Sequence, residues 1–136
     1  MKKLKSILIV SVLATLVFFG CKKDPVEKNP AVAILGKWQC IAIGNGTEMI
    51  QITNNKSFTE YLADSVERIF ENSTGRYQYM KYWIDSLLYT GQTTDDGITL
   101  ITEKSRFRFS ENNNVLELEL TSPLVTFHNY TYRRIN

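Results

Sequence analysis

From residue 34 onward the chain alternates between apolar and polar positions in short blocks. In Ser105-Arg106-Phe107-Arg108-Phe109-Ser110, and again in Val115-Leu116-Glu117-Leu118-Glu119-Leu120, the two kinds change places at every step. That is the period of a strand with one dry face and one wet face. With Glu111-Asn112-Asn113-Asn114 as the loop, position 109 faces 116, 108 faces 117, 107 faces 118 and 106 faces 119. Phe107, Phe109, Leu116 and Leu118 then share one face, while Arg106 and Arg108 meet Glu119 and Glu117 on the other. The apolar pattern and the charge pattern select the same register.

Further strands are predicted over 36–43, 75–82, 83–89, 98–102 and 125–135, where tyrosine, phenylalanine, threonine and branched residues lie between Gly, Asn, Asp and Ser clusters. Several have a single apolar face, as a sheet packed on one side requires. The segment 57–70 reads two ways. Phe58, Tyr61, Leu62, Val66, Ile69 and Phe70 fall at helical spacing, with Ser57 and Glu60 placed as a capping box and Gly75 just past the end. Alternatively Asp64-Ser65 is a turn between two strands. The local pattern by itself favours the helix.

The N-terminus has a different pattern. Lys2-Lys3-Leu4-Lys5 precedes a stretch, 7–19, that is apolar except at Ser11 and Thr15. This is the layout of a secretory signal, shorter than the roughly 20 apolar residues of a membrane span. Without the first twenty residues the chain holds 13 basic and 14 acidic groups, so it lacks the basic field of a nucleic-acid binder, and no nucleic acid is expected as a partner. The 136 residues allow one domain.

Phe18-Phe19-Gly20-Cys21 resembles the lipobox of bacterial lipoproteins. The resemblance implies a signal peptide at 1–20, cleavage before Cys21, acylation of that cysteine and membrane attachment through it. Phe18 and Phe19 depart from the usual pattern. Residues 21–33, polar and carrying Pro25 and Pro30, are expected to form the lipidated N-terminus and a flexible tether. Lys22 after the cysteine implies the outer membrane of the cell envelope, facing either the periplasm or the surface. With Cys21 acylated, Cys40 has no partner for an internal disulfide and is expected to be a small core residue.

Leu35-Gly36-Lys37-Trp38 at the start of the domain and Tyr130-Thr131-Tyr132-Arg133-Arg134-Ile135 at its end resemble the lipocalin superfamily. With Gly-Cys-Lys-Lys-Asp in the leader region, Tyr61-Leu62-Ala63-Asp64-Ser65-Val66 and Lys81-Tyr82-Trp83-Ile84-Asp85-Ser86-Leu87-Leu88-Tyr89, the chain looks like the small lipocalin-like, calycin-type lipoproteins of Bacteroidota. This implies an all-β fold, a single antiparallel barrel of about eight strands over 34–136, and a hairpin rather than a helix at 57–70. It also implies that Trp38 packs under an arginine of the last strand. That arginine is Arg134, with Arg133, aimed at the opposite face, as the rival. Asp64-Ser65-Val66 and Asp85-Ser86-Leu87 resemble the O-glycan attachment sites of exported Bacteroidota proteins.

Reactive constellations are sparse. No phosphate loop, dinucleotide glycine fingerprint, Cys-x-x-Cys, His-Glu-x-x-His or nucleophile elbow occurs. Asp95-Asp96-Gly97 reads as a turn, and Glu117 and Glu119 are aimed outward opposite arginines. The expectation is a protein that is not an enzyme, with no cofactor and no metal. The lipocalin analogy places binding in the barrel mouth, where Tyr77, Tyr79, Trp83, Tyr89, His128, Tyr130 and Tyr132 would supply aromatic surface for a small apolar or saccharide ligand. The alternative is a filled barrel acting as a structural module that contacts another envelope protein.

Overall fold

The computed structural model describes residues 26–136. The expected signal peptide and Cys21 lie outside the described residues. A short helix α1 (Pro30–Ala33) precedes nine strands: β1 (Gly36–Asn45), β2 (Glu48–Gln51), β3 (Phe58–Tyr61), β4 (Val66–Glu71), β5 (Arg76–Ile84), β6 (Leu88–Thr93), β7 (Thr99–Ser110), β8 (Val115–Leu120) and β9 (Asn129–Ile135). All pairings are antiparallel, and β1 pairs with β9 from Lys37 to Gly44, which closes the sheet. The result is a lipocalin-like barrel of eight strands with β2 as an extra strand on the far half of β1. Closure removes the sheet edges that an open sheet of this length would expose.

The β7–β8 hairpin has the register that its two patterns select. Phe109 faces Leu116, Arg108 faces Glu117, Phe107 faces Leu118 and Arg106 faces Glu119. Arg108 Nε donates to Glu117 at 2.6 Å and Arg106 Nη1 to Glu119 at 3.2 Å. Both pairs are exposed and contribute at most about 1 kcal/mol each; the buried leucines opposite do more. In the loop Glu111, Asn112 and Asn113 all take positive φ, which asparagine tolerates better than most residues.

At 57–70 the helical spacing yields to a hairpin. Phe58 pairs with Phe70, Thr59 with Ile69, Glu60 with Arg68 and Tyr61 with Glu67. Ser65 turns the chain at φ 62°, and Leu62 N–H donates to Val66 O at 2.9 Å. Each strand has a second neighbour, β1 for β3 and β5 for β4, so barrel pairing supplies more hydrogen bonds and burial than an isolated helical turn.

Other expectations need correction. The blocks at 98–102 and 105–110 are one strand, β7, which leans on β6 at its start and on β8 at its end. The segment 83–89 is a strand end and a turn, not a strand, since Trp83 and Ile84 belong to β5 and Leu88 begins β6. The last strand starts at Asn129, after a loop, and not at 125. Strand β2 was not foreseen, although Asn45-Gly46 is a hairpin signal; Gly46 takes φ 61° in the two-residue turn between Asn45 and Glu48. The end of the expected tether is helical: Asn29 caps α1, and Pro30 sits in its first turn, where a missing N–H costs nothing.

The core fills the end of the barrel nearest α1. Ile34, Trp38, Tyr61, Tyr82, Leu88, Leu116 and Leu118 form it, with Ile84, Phe107, Phe109, Tyr130 and Tyr132 packed against them. Trp38 is fully buried and its indole N–H donates to Ile34 O at 2.6 Å. Removing roughly 200 Å² of indole from water is worth about 5 kcal/mol before entropy.

Candidate functional site

Arg134 covers the closed end. Its Cζ lies 4.3 Å from the Trp38 ring centroid. Its Nη1 and Nη2 donate to Leu35 O and Ala33 O at 2.5 Å, and Nε donates to Asn113 O at 3.2 Å. Gly36 makes this possible, because a Cβ there would stand 2.9 Å from Arg134 Nη1 and its φ is +112°. Arg133 faces outward and lies 3.7 Å from Glu111. Arg134 is thus the arginine on Trp38, and α1 with the β7–β8 loop seals the end around it.

The aromatic residues expected in the mouth divide between the two faces. Tyr130 and Tyr132 point inward and pack on the core. Burial, followed by the nearby Cys40, pushes the Tyr132 hydroxyl far above its ordinary range. Tyr77, Tyr79, Trp83 and Tyr89 lie on the outer wall, because Tyr82 and Leu88 are the buried members of their strands and side chains alternate. Trp83 and Tyr89 are cross-strand partners stacked at 5.2 Å with rings 3° from parallel. Tyr77 packs on Phe70 and Phe58, with Arg68 5.1 Å from its centroid, and Lys37 lies over Phe58. Tyr77 and Tyr79 are 44% and 62% exposed. His128 is at the rim, where its backbone N–H donates to Gly44 O and Asn45 Oδ1 and its carbonyl accepts from Leu120.

The interior contains two carboxyls that sequence reasoning did not single out. Glu67, opposite Tyr61, is 6% exposed. Its carboxyl is pushed up to about 7, by burial first and then by the charge of Glu103, while hydrogen bonding with Tyr61 pulls it back. Burial also raises Glu103, which Ser105 partly offsets. The signal was available: Glu67 is in phase with Ile69, and Glu103 with Phe107 and Phe109. Cys40 is half-buried, and burial raises its thiol. It borders a small cleft of about 110 Å³ between β1 and β3, with Trp38, Thr59 and Tyr132. Among the described residues no three His, Cys, Asp or Glu side chains gather in a metal-holding group.

A larger groove, about 450 Å³, opens on the outside of the barrel. Its floor is the outer face of β7, β8 and β9, with Arg106, Arg108, Glu117, Glu119, Asn129 and Thr131; Gly46 and Met49 of the β1–β2 hairpin overhang it. Phe107, Leu118 and Tyr130 belong to the same stretch of wall, with their side chains packed in the core behind it. Asn129 Oδ1 accepts the Gly46 N–H at 2.8 Å, which ties overhang to floor.

The fold and these surfaces define a lipocalin-like barrel. Compared with family models the chain matches none, and no curated protein matches it.

Proposed function

We propose that the protein is a non-enzymatic binding module of the cell envelope, anchored through acylated Cys21, which recognises a small ligand on the outer wall of its barrel. It resembles the lipocalin-like lipoproteins of Bacteroidota in its leader and Gly-x-Trp opening, and the barrel fits that family. The observation that carries the reading is the position of the groove of about 450 Å³, outside the barrel beneath the β1–β2 hairpin. The outward turn of Tyr77, Tyr79, Trp83 and Tyr89 supports it, since it takes these rings out of the barrel interior. Native mass spectrometry of protein purified from its own host tests the reading. A bound small molecule is expected, lost on Met49→Trp; repeated recovery of ligand-free protein would count against it.

A second reading is favoured by the outer aromatic patch. Tyr79, 62% exposed beside Tyr77 and Arg68, fits a docking surface for another envelope protein. Cross-linking in the host that a Tyr77→Ser, Tyr79→Ser double variant abolishes would support it.

A further inference from the structure

We propose that the outer groove binds a neutral polyhydroxylated molecule, a mono- or disaccharide or a similar polyol. The inference rests on the reading of the barrel as an outward-facing binding module and gives that module its ligand class. Two registered rows cross the floor. In one, Arg106 stands beside Glu119, and Glu119 beside Asn129; in the other, Arg108 stands beside Glu117, and Glu117 beside Thr131. The overhang is a built feature: a Cβ at Gly44 would lie 2.0 Å from the Glu48 carbonyl oxygen, so only glycine lets β2 fold back this closely.

The chemistry of the floor selects the ligand. Two guanidiniums and two carboxylates cancel, so an ion of either sign gains from one member of a pair what it loses to the other. Each guanidinium has several N–H donors and each carboxylate several acceptor sites. The pairs formed here use only part of them. Unused donors and acceptors therefore lie side by side at the cross-strand spacing of about 5 Å. A hydroxyl both donates and accepts, so neighbouring hydroxyls can satisfy both kinds of group through charge-assisted bonds while the ion pairs stay intact. An apolar molecule would desolvate four charged groups and return nothing. Met49 offers an adaptable apolar contact to the C–H face of a ring, and about 450 Å³ is a usual size for a small-ligand site.

Ligand-observed NMR on the full chain tests the inference, with maltose, N-acetylglucosamine and myo-inositol as neutral polyols, glycine betaine as a zwitterion, and citrate and spermidine as ions. Saturable binding of at least one polyol is expected. Glu117→Gln and Thr131→Val should each weaken it about tenfold, equivalent to about 1.4 kcal/mol. Met49→Trp should abolish it by filling the groove, and Tyr79→Ala should leave it unchanged. Circular dichroism and melting temperature establish that each variant is folded. Polyol binding that survives all three groove variants would overturn the groove assignment and, with it, the outer-wall site of the proposed function. Binding of betaine or the ions alone would overturn the ligand class. Failure of every probe would overturn the inference, while a host-derived molecule in the native mass spectrum would still uphold the wider reading.

Discussion

Arg134 lies on Trp38 across the β1–β9 ladder, as its direct cross-strand partner, with the guanidinium 4.3 Å from the indole centroid. The same group donates to carbonyls at Ala33, Leu35 and Asn113. One side chain near the C-terminus therefore ties together α1, the entry into β1 and the β7–β8 loop. A planar fork of donors can face a ring and three carbonyls together, whereas an ammonium is a single point.

Arg134→Lys is accordingly expected to lower stability by about 2 kcal/mol, and Arg134→Met by about 3 kcal/mol, because both leave part-buried carbonyls unpaired. Urea denaturation measures this. A change below about 0.5 kcal/mol, the usual range for a plain surface position, would show that the closed end does not depend on the arginine.

Gly36→Ala should cost about 1–3 kcal/mol, since its φ of +112° disfavours any Cβ and the methyl would press on Arg134 at 2.9 Å. Combined with Arg134→Met the losses should be less than additive, because the two changes disturb one contact. Full additivity in a double-mutant cycle would argue against the coupling.

Stability should fall as pH rises through the range set by Glu67. Its carboxyl titrates near the ordinary 4.5 in the unfolded chain and at about 7 in the folded one, so the folded state holds more protons between those values. The stabilisation is complete below pH 4.5 and lost as pH rises to 7, on the order of 3 kcal/mol for a single site. Glu67→Gln should flatten this part of the profile and be more stable than the parent above pH 7. A parent profile that is already flat would exclude a raised Glu67.

Tyr132 and Tyr79 belong to the same expected set of mouth residues but should behave differently. Tyr132→Ala empties part of the core and should cost about 3–5 kcal/mol. Tyr79→Ala, at a 62% exposed position, should cost less than about 0.5 kcal/mol. Equal losses in thermal denaturation would contradict the inside and outside assignment.

Cys21 is expected to be the acylated N-terminus of the mature protein. Intact-mass analysis should give a chain starting at Cys21 with an added diacylglycerol and a fatty acyl group, and Cys21→Ala should release the protein from membranes. An unmodified cysteine would end this part of the reading.

The β7–β8 hairpin was legible from the sequence because its register is set by neighbours: Phe107 and Phe109 demand Leu118 and Leu116, and Arg106 and Arg108 find Glu119 and Glu117 in the same alignment. The strands β1, β5, β7 and β9 were legible in outline, each carried by a short local pattern. The hairpin at 57–70 was not, since its local spacing is helical and its strands are held by β1 and β5, partners that the segment itself does not contain.

The sequence by itself determined the β7–β8 register and the two-faced character of the strands whose apolar and polar residues alternate, because alternation is a property of the local backbone. Only the tertiary structure decided which face is inside. Tyr82 and Leu88 turned inward while Tyr77, Tyr79, Trp83 and Tyr89 turned out. The groove likewise exists only because closure sets β9 beside β1, which carries the β1–β2 hairpin over the wall of β7, β8 and β9. Facing is a choice between two equivalent sides of a strand, and the contacts that decide it join residues far apart in the chain.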